Sequence, residues 1–232
     1  MHPIYEAHKL YKVYGHIQAL NGIDLTLMPG RLVGLLGPNG SGKTTLIKIS
    51  AGLLTPTAGT VQIAGQAPGP KTKAVVSYLP DRMALPLELR ADDVVAMYSD
   101  FFEDFDRAKA VAMLKDLKLS PSQRIGAMSK GTQEKIQLCL TMSRAARLYL
   151  LDEPLGGVDP AAREYILSTI LRNYSDDAAV LFSTHLISDI EKVLDEVAFL
   201  KEGTLLLHDS VDQLREEKGM SIDNYFKEVF RC

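Results

Sequence analysis

A chain of 232 residues, 46% hydrophobic and 24% charged, is long enough for one large α/β domain, or a core with a smaller inserted unit, and has the make-up of an ordinary globular protein. Its formal charge of −3 offers nucleic acid no basic footprint, and no apolar stretch reaches the ~18 residues a membrane span needs. Cys139 and Cys232 have neither metal-ligand spacing nor a disulfide framework and read as free thiols of a reducing compartment, while the N-terminus lacks a signal-peptide core.

In chain order, Ile4 to Leu27 reads as two strands joined by a turn at Tyr14-Gly15, with Ile23, Leu25 and Leu27 alternating with Asp24 and Thr26. The apolar run Leu32 to Leu36 then enters Gly37-Pro38-Asn39-Gly40-Ser41-Gly42-Lys43-Thr44, and an amphipathic segment follows. Strand, glycine-rich loop and helix in that order make a cradle for phosphates. The glycines let successive N–H groups face an anion, and the helix adds its positive end. Lys43 reaches the β- and γ-phosphates in such a cradle, and the Thr44 hydroxyl ligands Mg²⁺. Tyr14, near a strand end, is either a packing residue or a ring that stacks on adenine.

Gly52 ends the first helix, and Val61 with Ile63 marks a short strand. Val75 to Leu79 is a further strand that stops at Pro80-Asp81. Helical patterns follow, from Asp92-Asp93 and from about Asp106, as expected of a helical unit inserted into the α/β core. The loop Gly126 to Thr132 feeds a helix with Ile136, Cys139 and Leu140 on one face; Ser129 there is a helix cap or a hydroxyl for a docked anion. Leu148 to Leu151 is an unalternating buried strand that ends in Asp152-Glu153, where α/β sheets place their ligands. Given the phosphate loop, Asp152 is assigned to the Mg²⁺ shell and Glu153 to the attacking water. Val180 to Thr184 repeats the arrangement and ends at His185, whose place beyond a strand end is as consistent with a structural role as with a functional one. Lys201-Glu202-Gly203 reads as a hairpin tip, Ser210 with Gln213 as a capping box, and Tyr225, Phe226, Val229 and Phe230 as a face for core or dimer packing.

Together these motifs resemble the nucleotide-binding subunit of an ATP-binding cassette (ABC) transporter, over nearly the whole chain. Gly37 to Thr44 is similar to the Walker A motif, Leu148 to Glu153 to Walker B with its following glutamate, and Met128-Ser129-Lys130-Gly131-Thr132 to the family signature. Gly157-Val158-Asp159-Pro160 resembles the D-loop, His185 the switch histidine and Tyr14 the adenine-stacking aromatic. Three places depart from the family pattern: Lys130 and Thr132 in the signature, Asp81 where a glutamine is usual, and Gly156 for the D-loop serine. Asp81 is shorter than glutamine and has no N–H to donate.

The resemblance implies an α/β fold: a P-loop NTPase core with a mixed, mainly parallel sheet, an N-terminal antiparallel β subdomain and an inserted helical subdomain. Residues 1–81 and 147–232 would form the core and 82–146 the helical insert. It implies ATP and Mg²⁺ as cofactors, with Glu153 and His185 catalytic and with Thr44, Asp152 and Asp81 toward the metal. Tyr14, residues 37–44, Thr45, Ser129, Gly131 and Asp159 would contact nucleotide. The partners implied are a second ABC ATPase subunit, as homodimer or heterodimer, and an integral membrane permease, with no nucleic acid. The chain would sit in the cytoplasm, peripheral on the inner face of the cell membrane. The alternative is a soluble ATPase of the same family acting in cluster assembly or another non-transport process.

Overall fold

The computed structural model describes residues 2–230; the reading of Cys232 as a free thiol falls outside them. The elements, in order, are β1 (Tyr5–Tyr14), β2 (Ile17–Leu27), β3 (Leu32–Leu36), α1 (Lys43–Ser50), β4 (Ala58–Ile63), α2 (Pro70–Lys73), β5 (Val76–Leu79), α3 (Ala91–Phe101), α4 (Arg107–Asp116) and α5 (Lys130–Met142). There follow β6 (Leu148–Asp152), α6 (Pro160–Asn173), β7 (Ala179–Thr184), α7 (Ile187–Ile190), β8 (Glu196–Lys201), β9 (Thr204–Ser210), α8 (Val211–Lys218) and α9 (Ile222–Phe230).

The central sheet has the order β5-β6-β7-β3-β8-β9, parallel except for β9. Its inner strands are apolar at nearly every position because both faces are covered. Leu32, Leu36, Tyr149, Leu151, Val180 and Phe182 pack to one side with residues of α6, α7, α8 and α9. Val33, Leu35, Leu148, Leu150 and Leu181 pack to the other with α1 and the three-stranded antiparallel sheet β2-β1-β4. The expected mixed, mainly parallel sheet, antiparallel β unit and helical insert are all present.

A third core, built from Val94, Val95, Ala110, Leu114, Ile125 and Leu140 among others, belongs to the helices between β5 and β6. Helix α5 joins it to the main core: Leu138 and Met142 lie in the sheet's cluster, whereas Ile136, Cys139 and Leu140 lie in the helical one. That division follows from a helix whose buried residues run all the way round its last two turns. Arg144, just beyond α5, is buried and clamps the junction. Its guanidinium donates to both carboxylate oxygens of Asp104, at 2.9 and 3.0 Å, and to the carbonyls of Ala74 and Val76 at 2.8 and 2.6 Å.

Two local readings are refined. Ser210 caps α8 by accepting from the Gln213 N–H at 3.3 Å, but the Gln213 side chain turns outward and donates to Glu217, so the reciprocal half of the box is missing. The aromatic face of α9 packs within this chain: Tyr225, Phe226 and Phe230 surround the buried ring of Phe199, with centroids 5.4 to 5.9 Å away.

Candidate functional site

The loop from Gly37 to Gly42 springs from the end of β3 and closes on the first turn of α1. Gly42, at φ +108°, lies so close to the β1–β2 arm that an added Cβ would stand 2.5 Å from the Ala19 carbonyl oxygen. Only glycine meets both the dihedral and the approach. No side chain caps α1 and its first turn holds no acid, so its leading N–H groups remain open to an anion. Gly37 to Gly42 form this loop, and the buried Ser41 hydroxyl has no hydrogen-bond partner among the described residues.

Lys43 is buried and folded back over its own loop. Its ammonium donates to the carbonyls of Gly37 at 2.8 Å and Pro38 at 3.2 Å, and lies 3.2 Å from Oε1 of Glu153. The other oxygen of Glu153 accepts from Nδ1 of His185 at 3.0 Å. Glu153 adopts φ +49°, an unfavourable backbone for a non-glycine residue, held there by its N–H bonded to the Ser183 hydroxyl at 2.9 Å. The first residue of α1 and the residues just beyond β6 and β7 thus meet at one carboxylate, whose oxygens would be free to polarise a water once Lys43 turned toward phosphate.

Asp152 is fully buried at the end of β6. Its Oδ1 accepts from Thr44 at 3.1 Å and from Ser183 at 2.8 Å, while Oδ2 has no partner among the described residues. Burial pushes its pKa up, opposed by the bonds from Ser183 and Thr44 and reinforced by Asp81 and Glu153. An orphaned carboxylate oxygen beside a threonine hydroxyl at a phosphate loop fits a divalent cation that takes few protein ligands and shares the rest with substrate oxygens. No group of three or more His, Cys, Asp or Glu able to hold a metal occurs among the described residues.

An open cavity of about 460 Å³ brings together Asn39 to Thr45 with Asp81 and Glu153. Thr45 and Asp81, expected toward the nucleotide and the metal, therefore stand at this wall. Tyr14 does not line it: the ring is exposed at the hairpin tip, with the Lys12 ammonium 4.9 Å from its centroid. Ser129, Gly131 and Asp159 also lie outside the cavity lining. Ser129 caps α5 by accepting from the Thr132 N–H at 3.3 Å, and the Asp159 carbonyl accepts from Arg163 in α6 at 3.0 Å. The lining adds four residues that sequence reasoning missed, Ile17, Gln18, Ala19 and Glu202. They carry no local motif, and Glu202 reaches the cavity only because β8 and β9 fold back beside the phosphate loop.

This fold and site define a nucleotide-binding ATPase of the P-loop kind. The chain belongs to the ABC transporter family, whose model matches residues 20–156, and within that family it is an ATP-binding, ATP-hydrolysing transporter subunit. It is 30% identical, over 92% of its length and 73% of the relative's, to the uncharacterised ABC transporter ATP-binding protein YxlF of Bacillus subtilis. The daunorubicin resistance ATP-binding protein DrrA3 of Streptomyces coeruleorubidus is 27% identical over 90% of this chain and 68% of its own. A solved ATP-binding subunit of an ABC transporter superposes with a TM-score of 0.86 at 26% identity, covering 98% of this chain and 100% of that one. Among the described residues no helix is long and apolar enough to cross a membrane.

Proposed function

We propose that the subunit hydrolyses Mg²⁺-bound ATP at the 37–44 loop and uses the cycle to drive a separate integral membrane permease in the direction of export. The observation that carries the chemistry is Glu153 suspended between Lys43 and His185, at 3.2 and 3.0 Å. The triphosphate enters the N–H groups of residues 39–45 and draws Lys43 away from Glu153. The freed carboxylate orients and deprotonates water, while His185 holds the γ-phosphate and the charge that develops on it. Thr44 and Asp152, with Asp81 at the wall, hold Mg²⁺, which when bound neutralises charge on the β- and γ-phosphates.

Proteins of this family generally dimerise and dock on a membrane permease. A second subunit, identical or homologous, would present Ser129, Gly131 and Asp159 to nucleotide bound here, and Tyr14 would turn onto adenine. Residues 1–81 and 147–232 act as the core and 82–146 as the helical subdomain. The cleft between them, lined by Leu53, Tyr78, Tyr98, Phe102 and Arg144, receives the permease and holds the subunit at the inner face of the membrane. Export is favoured by relatives named for resistance to linearmycin and daunorubicin.

The test is to purify tagged Glu153→Gln protein with ATP and Mg²⁺ from detergent-solubilised native cells. A polytopic membrane protein in stoichiometric amount is the expected companion. Soluble partners alone would overturn transport and favour a cluster-assembly or other soluble ATPase.

A further inference from the structure

Resting on the ATP reading, we propose that Glu202, with Gln18 in the lining of the same cavity, reads the ribose of the nucleotide and makes this site select ribonucleotides over deoxyribonucleotides. Sheet order supplies the direction. The phosphate loop leaves β3; β6, with Asp152 and Glu153, lies to one side of β3, and β8 with β9 lies to the other. The metal-side carboxylates and the β8–β9 tip therefore flank the loop from opposite sides. If the γ-phosphate faces Lys43 and Glu153, the nucleoside leaves toward the flank formed by Ile17, Gln18 and Glu202, which line the same cavity.

That flank is rigidly joined to the loop. Gly203 donates its N–H to the Ser41 carbonyl at 2.9 Å and accepts from the Asn21 N–H at 2.7 Å. A Cβ on Gly203 would stand 2.8 Å from the Ala19 carbonyl oxygen. The Gln18 amide donates to Asn21 at 2.8 Å, which leaves its own carbonyl oxygen to accept. Glu202 is exposed and has no hydrogen-bond or ion-pair partner among the described residues.

The backbone at Glu202 also points to a function. Lys201 pairs with Thr204, so Glu202 and Gly203 form a two-residue turn, with φ +47° and +75°. Such turns strongly favour asparagine, aspartate or glycine at the first position, where the left-handed conformation is least costly. Glutamate is disfavoured there, and its extra methylene carries the carboxylate further from the turn. A carboxylate is the group that elsewhere accepts from ribose hydroxyls beside a phosphate-binding loop. A hairpin tip with no other use for an unpaired acid next to a polyanion site would be expected to avoid one, by charge repulsion.

The experiment compares dissociation constants for ATP and 2′-deoxy-ATP, with tripolyphosphate as a probe of the phosphate end, in the wild type and in Glu202→Asn. Asparagine suits the turn, so the variant keeps the hairpin. The wild type is expected to prefer ATP about tenfold, the scale of one hydrogen bond to a charged group, and the variant to bind both nucleotides alike. ATP and 2′-deoxy-ATP binding equally to the wild type, or a preference that survives in Glu202→Asn, overturns the ribose assignment alone. Tripolyphosphate bound as tightly as ATP likewise overturns it. Failure of the wild type to bind either ATP or tripolyphosphate overturns the nucleotide reading and this inference with it.

Discussion

The Thr44 hydroxyl donates to Oδ1 of Asp152 at 3.1 Å, joining the end of the phosphate loop to the end of β6. With Ser183 on the same oxygen, this bond fixes the carboxylate and leaves the buried Oδ2 without a partner among the described residues. Because burial raises the folded pKa of Asp152 above its ordinary 3.8, the folded protein holds that proton to higher pH than the unfolded chain does. Its contribution to stability is therefore greatest in acid and is lost as pH rises from 3.8 through the folded value. Asp152→Asn is expected to unfold at a higher temperature than the wild type in metal-free neutral buffer, with a difference that narrows on acidification. Mg²⁺ with ATP should stabilise the wild type and not the variant. Thermal scans across pH, with and without Mg²⁺, check both; parallel pH profiles would remove the role given to burial.

Glu153 competes with phosphate for Lys43. Glu153→Gln removes the competing charge and the base together, so ATP should bind more tightly while turnover falls by about 100-fold or more. Equilibrium binding and steady-state phosphate release, measured with the physiological partner present, separate the two effects. Turnover near the wild-type rate would dismiss Glu153 as the base.

Gly42→Ala should damage the loop by two routes, the left-handed dihedral and the 2.5 Å approach to the Ala19 carbonyl. The strain is on the order of 1–3 kcal/mol, and ATP affinity should fall at least about tenfold because α1 and its N–H groups shift. Calorimetric titration with ATP reads this directly, and unchanged affinity would show that the loop tolerates a Cβ.

Arg144→Leu leaves Asp104 without its bidentate partner and frees the carbonyls of Ala74 and Val76. Removing one partner of a buried pair costs about 3–5 kcal/mol. Arg144→Lys should recover only part of that, since an ammonium lacks the planar fork that spans two oxygens. Urea denaturation of the two variants gives the comparison; equal, small losses would mean the clamp is dispensable.

The phosphate loop was legible because its chemistry is local. Contiguous residues supply the turn, the N–H groups, the lysine and the threonine, and the adjoining apolar run and amphipathic segment set its strand and helix. Asp152 and Glu153 were legible for a related reason, as acids at the end of a run too apolar to be anything but a buried strand. The Glu202 hairpin was also visible, from Gly203 between two apolar runs.

The amino-acid sequence by itself determined the family, the α/β class, the loop and the strand-end acids, since each is written in neighbouring residues. Tertiary structure alone decided which distant groups meet: His185 and Lys43 on Glu153, Arg144 across the subdomain junction, and Gly203 on the Ser41 carbonyl. Periodicity reports which face of a strand or helix is buried and is silent on what covers it. Those meetings depend on the order in which strands assemble into the sheet, and that order follows from packing of the whole chain.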